Sequence, residues 1–146
     1  MSPLEFVFQV VSAFVGVVAV AVTFQVPKKN LVLAGLTGAG GWMVELILEE
    51  ILQGSIFAAF FAAFLVAILA QIFARVSKAP VTLYLVTGIL PLVPGVGMYL
   101  TVYYLLQSNR ELTSYYLSYT LQIAGMIALA IFAVDSFFKM LYKKRS

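Results

Sequence analysis

Residues 81–106 read VTLYLVTGILPLVPGVGMYLTVYYLL, an apolar run long enough to cross a bilayer that carries two prolines and three glycines near its centre. Proline has no N–H and its ring clashes with the carbonyl four residues earlier, so an unbroken helix is disfavoured. Pro91 is expected to free the carbonyl of Thr87, and Pro94 that of Leu90. Unpaired backbone groups are costly in hydrocarbon, so such a break persists only against protein or a watery cavity. The stretch predicts a broken membrane span, the kind of element at which many transporters bind their substrates.

The rest of the chain is similarly apolar. Of its 146 residues, 63% are hydrophobic and 10% are charged, whereas a soluble domain carries roughly 25% charged residues. The sequence contains neither Cys nor His, which excludes disulfides, thiolate chemistry and the commonest metal ligand. The net charge of +3 does not indicate nucleic-acid binding, because the basic residues fall between the apolar segments and at the C-terminus. The composition indicates an integral membrane protein.

Five apolar segments approach the roughly 20 residues that a spanning helix needs. They predict an all-α polytopic fold with five transmembrane helices in a single domain, residues 1–146, whose fourth span is broken at the Pro/Gly motif. The spans are expected at residues 4–26, 31–51, 56–74, 81–106 and 116–138, with connections that include Gln53-Gly54-Ser55 and a polar loop at 107–114.

The basic residues predict how the chain is oriented. With five crossings and the N-terminus outside, eight of the nine basic residues lie in the cytoplasm and only Arg110 lies outside, which is the positive-inside pattern. The cytoplasmic ones are Lys28, Lys29, Arg75, Lys78, Lys139, Lys143, Lys144 and Arg145. The C-terminus is then cytoplasmic, and an aromatic belt is expected at the outer interface, formed by Tyr103, Tyr104, Tyr115, Tyr116 and Tyr119.

Small and weakly polar residues predict where helices meet. The glycines at 35, 38, 40 and 41 favour close packing or local irregularity in the second span, and Gln122 is expected to bond across helices. Two helix faces are also expected to make contacts, one in the first span (Gln9, Ser12, Gly16, Ala19, Thr23) and one in the third (Ala59, Ala63, Ala67, Ala70, Ala74).

The break is the strongest candidate for a functional site. A helix that restarts after Gly95 points free N–H groups and its positive dipole end into the gap, which suits a carboxylate. The freed carbonyls suit an ammonium group or a coupling ion, and a kinked helix with satisfied carbonyls and no ligand is the alternative. The expected substrate-pathway or gating residues are Thr87, Gly88, Leu90, Pro91, Pro94, Gly95, Gly97 and Tyr99.

Two acidic residues are candidates for proton or ion coupling. Glu45 lies four residues before Glu49, and it is expected either among the lipid headgroups or within the bilayer as a proton-carrying carboxylate. Asp135 lies four residues before Lys139, which predicts an ion pair at the interface and leaves a proton relay as the alternative. No nucleophile–base set, metal cluster or phosphate-binding loop is recognisable, so we expect neither an enzyme nor a cofactor.

The motif Ile89-Leu-Pro91-Leu-Val-Pro94-Gly95 with Tyr99 resembles the I-P-L-V-P-G-x-x-x-Y signature of the ThrE-type threonine/serine exporter family. In particular, the chain resembles the small, YjjB-like subunit of the two-component form. The resemblance covers nearly the whole chain in length and span order. Three further matches are Phe24-Gln25-Val26-Pro27 (with Gln where the family has F-N-V-P), Gly41-Trp42 in the second span, and Pro80.

The resemblance implies a multi-pass subunit of a proton-driven secondary exporter in the bacterial inner membrane. It implies a larger YjjP-like partner subunit, with a homo-oligomer of the pair as a further option, and no nucleic-acid partner. The expected substrates are small carboxylate-bearing metabolites, with threonine and serine first. A dicarboxylate such as succinate is the alternative substrate, and the lack of a mid-membrane Lys or Arg favours an amino acid. A non-transporting scaffold or assembly subunit is the alternative from a different class.

Overall fold

The computed structural model describes residues 2–53 and 56–143, and over these residues the chain is all-helical. Over the described residues, four segments are long and apolar enough to cross a membrane, and a bent pair of helices is long and apolar enough to form a fifth. This confirms the predicted fold with a broken fourth span, whereas Gly54 and Ser55 lie outside the described residues. The helices are α1 Pro3–Thr23, α2 Leu31–Leu52, α3 Phe57–Ser77, α4 Val81–Ile89, α5 Gly95–Leu106 and α6 Arg110–Lys143, with 3-10 turns at Lys28–Asn30 and Leu90–Leu92.

The last helix begins earlier than predicted. The expected polar loop at 107–114 is wrong beyond residue 109, because α6 starts at Arg110. Asn109 explains the early start: its Oδ1 accepts a hydrogen bond from the Leu112 N–H at 3.2 Å, and its carbonyl accepts from the Thr113 N–H at 3.1 Å. Asparagine is among the best residues for capping a helix N-terminus.

The two ends of the bundle differ in charge. Short connections make consecutive spans antiparallel, so the C-termini of α1, α3 and α6 lie at the same end as the N-termini of α2 and α4. We call this the basic end, because six of the seven described Lys and Arg residues lie there (Lys28, Lys29, Arg75, Lys78, Lys139, Lys143). Lys144 and Arg145 lie outside the described residues. Clustering of the basic residues at one end agrees with the predicted charge pattern, and the orientation of that end in the cell stays a prediction.

Helix α3 is the centre of the bundle and packs against α2, α4 and α6. Its alanines allow this, because a small side chain lets a neighbouring backbone approach closely. All five residues of the predicted alanine face are buried, which confirms that face. The largest buried cluster combines Ala59, Ala62, Ala63 and Val66 of α3 with Leu92, Ile123, Ile127 and Ala130.

Helix α1 packs on α2 through a face other than the predicted one. A Cβ built on Gly35 would lie 2.6 Å from the Phe14 ring and 2.7 Å from Val18 Cγ2, so α2 needs glycine there. The predicted small face is wrong within this chain, since Ser12, Gly16, Ala19 and Thr23 are exposed. Gln122 is exposed too, and it donates to Ser118 of its own helix at 3.1 Å instead of bonding across helices. Helix α1 contacts α2 through larger side chains, such as Phe14 and Val18, because these fill the space above Gly35.

The broken span changes neighbours at its break. Helix α4 packs on α2 and α3, whereas α5 packs on α6, and the two halves meet at a bend of 53°. The chain therefore crosses the surface of the bundle between α4 and α5. This path leaves a gap between α4 and α6 at the basic end, and it moves α5 away from α2 at the other end.

Candidate functional site at the broken span

The break consists of the 3-10 turn Leu90–Leu92 followed by extended Val93 and by Pro94 with φ −77° and ψ 64°. The Gly95 N–H donates to the Val93 carbonyl at 2.8 Å, which closes an inverse γ-turn around Pro94. The Val93 N–H donates to the Leu90 carbonyl at 3.2 Å. The break is thus partly bonded to itself.

These bonds correct two expectations for the backbone groups. The Leu90 carbonyl already has a partner, so it is not the free acceptor that Pro94 was expected to create. The N–H of Gly95 is likewise occupied. The first bond of α5 runs from the Met98 N–H to the Pro94 carbonyl at 3.1 Å, and no side chain caps this helix. The donors that remain at the start of α5 are the N–H groups of Val96 and Gly97.

The candidate residues of α4 and the turn differ in exposure. Thr87 and Gly88 are buried, and a Cβ on Gly88 would lie 2.6 Å from Thr37 Cγ2 and 3.0 Å from Val66 Cγ1. The Thr87 hydroxyl donates to the Leu83 carbonyl at 2.9 Å. Gly95 is exposed and has open space where a Cβ would stand. The buried pair therefore holds α4 against α2 and α3, while the bend itself is accessible.

On the other side of the turn, Leu90 and Pro91 border a shallow apolar groove of about 250 Å³ against α1. Gly16 of α1 contributes to its wall, together with Ala13, Val17 and Val20. The exposed bend and the exposed small face of α1 are therefore parts of one continuous surface.

Gly97 and Tyr99 face different surroundings. Gly97 is buried against Thr120 of α6, whose Oγ1 is buried and has no hydrogen-bond partner among the described residues. Tyr99 is exposed, and its ring stacks on Tyr103 with centroids 6.0 Å apart. The ring contacts continue through Tyr104, Tyr116 and Tyr115, where Tyr104 stacks on Tyr116 and the other two contacts are edge-to-face. Tyr99 thus belongs to a chain of tyrosines at the α5–α6 hairpin, opposite the basic end, as expected of the aromatic belt.

Glu45 lies near the break. Thr37, Gly41 and Glu45 occupy successive turns on one face of α2, and a Cβ on Gly41 would lie 3.8 Å from Leu92 Cδ1. Because Thr37 meets Gly88 and Gly41 meets Leu92, α2 and α4 run side by side in the same direction. Glu45 therefore lies about one turn, roughly 6 Å, beyond the level of Leu92, where the chain bends away.

The Glu45 carboxylate is buried. Its side chain is 9% exposed, and Oε2 has no hydrogen-bond partner among the described residues. Glu49 and Glu50 of the next turn are exposed. The structure therefore buries Glu45 inside the helix bundle, and its depth in the bilayer stays a prediction.

Asp135 lies far from Glu45, near the basic end. Its Oδ2 pairs with Lys139 Nζ at 2.9 Å, so the predicted ion pair is present. Asp135 also lines a cleft of about 500 Å³ between α3, α4 and α6, which we call the basic-end cleft. Its walls include Ala67, Gln71, Leu85, Ala128, Phe132 and Asp135. The structure thus separates the two predicted acidic residues and places only Glu45 near the break.

Gln71 is a polar residue of this cleft that the sequence analysis did not single out. It is 6% exposed, its Oε1 accepts a hydrogen bond from Arg75 Nη1 at 2.8 Å, and its carbonyl accepts from the same nitrogen at 2.9 Å. In the sequence, Gln71 is recognisable only as a single amide in an alanine-rich span. That pattern does not show whether the side chain lines a cleft or contacts a neighbouring helix. Thr120 escaped notice for the same reason.

The comparisons with known proteins bear on what this membrane bundle is. The family model described as Threonine/Serine exporter, ThrE, matches residues 9–137, which run from within α1 to within α6 and include the Pro/Gly break. The chain belongs to the ThrE family. It is therefore an exporter-type transporter and a multi-pass membrane protein. Neither the comparison with curated proteins nor that with solved structures found a match.

The corner after α1 of this ThrE chain has a left-handed residue. Gln25 has φ 61°, and the Val26 N–H donates to the Ala21 carbonyl at 3.0 Å. This is the bond that closes a helix whose C-terminal residue is left-handed. Asparagine adopts that region more readily than most residues, which gives a backbone reason for the Asn of the F-N-V-P motif.

Proposed function

We propose that this ThrE chain is the smaller subunit of a proton-coupled secondary exporter in the bacterial inner membrane. It works with a larger YjjP-like subunit and exports small carboxylate-bearing metabolites, with threonine and serine as its substrates. The observation that carries the proposal is the bend at Pro94 and Gly95, an accessible and uncapped helix start in the middle of a membrane span.

The exposure of the bend supports a partner subunit. Val93, Gly95 and Val96 are all exposed in the single chain. Irregular backbone at membrane depth is tolerated only where it is buried in protein or borders water. The bend therefore either contacts another subunit or lines a watery path that such a subunit helps to enclose.

The charges around the bend support a substrate with one carboxylate. The N–H groups of Val96 and Gly97 at the start of α5 suit an anionic group. The described Lys and Arg residues all lie at the two ends of the bundle. A dicarboxylate needs a second cationic contact that this chain does not offer, so the surroundings favour an amino acid.

Glu45 supports proton coupling. Burying an ionised carboxylate without a partner is costly, and ionisable residues inside membrane helices mark proton relays and ion pathways. Because Glu45 lies about one turn beyond the break, it is close enough for its protonation to affect the bend. Asp135 is paired with Lys139, so we assign the coupling role to Glu45.

The test is efflux from bacteria that express this chain with its partner subunit and are fed threonine- and serine-containing dipeptides. We expect efflux of both amino acids and little efflux of succinate. Pro94→Ala together with Gly95→Leu should straighten the span and reduce efflux at least tenfold without lowering the amount of assembled complex.

The control is Gly125→Leu, because Gly125 also has open space around it but lies on α6 away from the break. It should export normally. Normal efflux from the double variant would contradict the proposal. A fall in assembled complex with unchanged efflux per complex would instead support a scaffold subunit.

A further inference from the structure

We propose that the basic-end cleft binds small zwitterions of the α-amino-acid type, with the Gln71 amide facing the carboxylate and Asp135 facing the ammonium group. The proposal concerns binding, and it rests on the proposed function only for its role as the site that loads the exporter. The cleft is distinct from the break, because it lies between α3, α4 and α6 near the basic end.

Gln71 supplies an oriented donor. Arg75 donates to its Oε1 at 2.8 Å, and because arginine can only donate, this bond fixes which end of the amide is the oxygen. The Nε2 group then has two N–H donors with no acceptor among the described residues. The side chain is more than nine-tenths buried and lines the cleft. The Nε2 group is not among the buried polar atoms without a partner, so it is accessible at the cleft, where a carboxylate can accept hydrogen bonds from it.

Arg75 is itself held in place. Its guanidinium carbon lies 4.0 Å from the centre of the Tyr142 ring and 5.0 Å from that of Phe138, both on α6. These cation–π contacts and the two bonds to Gln71 fix the arginine between α3 and α6. The positive charge beside Gln71 is therefore prearranged, and it adds to the attraction for a carboxylate.

Asp135 supplies the opposite charge across the cleft. Its Oδ2 is paired with Lys139, while Oδ1 has no partner among the described residues. The carboxylate is about half exposed, with 45% of the side chain accessible, so a solute can reach it. An ammonium group suits this oxygen, whereas a second carboxylate on the solute would be repelled. The combination selects for a zwitterion over a dicarboxylate.

The size and position of the cleft suit a small solute. Its volume of about 500 Å³ lies in the usual range for ligand pockets, roughly 300–1,000 Å³. The remaining walls of the cleft are apolar, and Ala128 lies two turns from Asp135 along α6, about 10 Å away. The cleft exists because α4 packs on α2 and α3 while α5 crosses to α6. The bend thus opens the cleft at the end opposite α5.

Binding is tested with the full chain in lipid nanodiscs and tritiated L-threonine. We expect Gln71→Met and Asp135→Asn each to raise the Kd about tenfold, the loss expected for one hydrogen bond to a charged group. Matched controls are Gln122→Met and Glu111→Gln, the same types of residue on exposed surfaces outside the cleft. n-Butylamine, butyrate and succinate should compete at least tenfold more weakly than unlabelled L-threonine. Equal affinities for variants and controls, or strong competition by succinate, would overturn the assignment.

The position of the site is tested by cysteine protection, because the chain has no native Cys. Ala128→Cys should react with a small water-soluble methanethiosulfonate, and L-threonine should slow the reaction at least fivefold. Gly125→Cys lies on the same helix outside the cleft and should react more slowly. Glu111→Cys should react without protection by L-threonine. An unprotected Ala128→Cys, or one no more reactive than Gly125→Cys, would rule out a water-filled binding cleft.

The outcomes separate this proposal from the proposed function. If the wild-type chain exports threonine with its partner but Gln71→Met and Asp135→Asn change neither binding nor efflux, the cleft is not the binding site and the exporter proposal stands. If the chain binds L-threonine but the complete pair never exports it, the proposed function fails and the cleft proposal stands.

Discussion

Glu45 is the residue whose position bears most directly on the proposed proton coupling. It is the first of three glutamates in the C-terminal half of α2. Glu45 is buried, whereas Glu49 and Glu50 of the next turn are exposed. Burial without a partner for Oε2 makes the charge of this side chain expensive. A group of this kind is well suited to carry a proton, because gaining or losing the charge changes the energy of the surrounding helices.

We expect Glu45→Gln to abolish threonine accumulation driven by a pH gradient in vesicles that contain the complete exporter. Exchange of labelled for unlabelled threonine without a gradient should persist, because glutamine keeps the shape of the side chain but cannot carry the proton. Glu49→Gln is the matched control, one turn away and exposed, and should leave both activities intact. Gradient-driven accumulation that survives Glu45→Gln would remove Glu45 from the coupling mechanism.

At the scale of elements, the close approach at Gly88 helps to position α4 between α2 and α3. Gly88 lets α4 approach Thr37 of α2 and Val66 of α3 so closely that no Cβ fits without a shift. Tyr84 adds a second anchor, since it is fully buried and its hydroxyl lies 2.7 Å from Ser77 Oγ. Helix α4 is held firmly, and the bend that follows it is accessible. We therefore expect any movement of the broken span to occur in α5.

Gly88→Val should therefore destabilise the fold by about 1–3 kcal/mol, the usual cost of overfilling a packed core. The measurement is the thermal unfolding midpoint of the detergent-purified chain, which should fall by several degrees. Gly125→Val serves as the comparison, because a Cβ there meets nothing within 4 Å, and its midpoint should be unchanged. Equal midpoints for the two variants would show that the α2–α4 contact is looser than the structure indicates.

At the scale of the whole molecule, the charges form a dipolar arrangement. Four of the six acidic residues lie at the end opposite the basic end (Glu5, Glu49, Glu50, Glu111), Glu45 is buried in the bundle one turn further in, and Asp135 lies near the basic end. Positive charges on short loops are retained in the cytoplasm during insertion. The basic end is accordingly expected to face the cytoplasm, where the basic-end cleft would meet the cytoplasmic pool of solutes.

Cysteine labelling in intact cells tests this orientation. Glu111→Cys should react with a membrane-impermeant maleimide added outside, because the α5–α6 hairpin is expected to lie outside. Lys29→Cys, at the basic end, should react only after the membrane is permeabilised. The reverse pattern would invert the orientation and place the basic-end cleft on the outer side.

The membrane class, the all-helical fold and the break in the fourth apolar segment could be predicted from the sequence, because they follow from local hydropathy and from the chemistry of proline. The sequence also determined the separation of charges, the alanine face of α3 and the ion pair of Asp135 with Lys139, which depend on helical spacing alone. The glycines of α2 were likewise recognisable as packing positions.

The pairing of helix faces could not be predicted in this way, because it depends on the packing of the whole bundle. The small face of α1 is exposed and its larger residues contact α2; Glu45 is buried, and Gln71 and Asp135 line one cleft. These outcomes depend on how α4 and α5 divide their contacts between α2, α3 and α6 across a 53° bend. Periodicity places a residue on a face of its own helix, but burial depends on the neighbour that covers that face, and that neighbour is chosen by packing between segments distant in sequence.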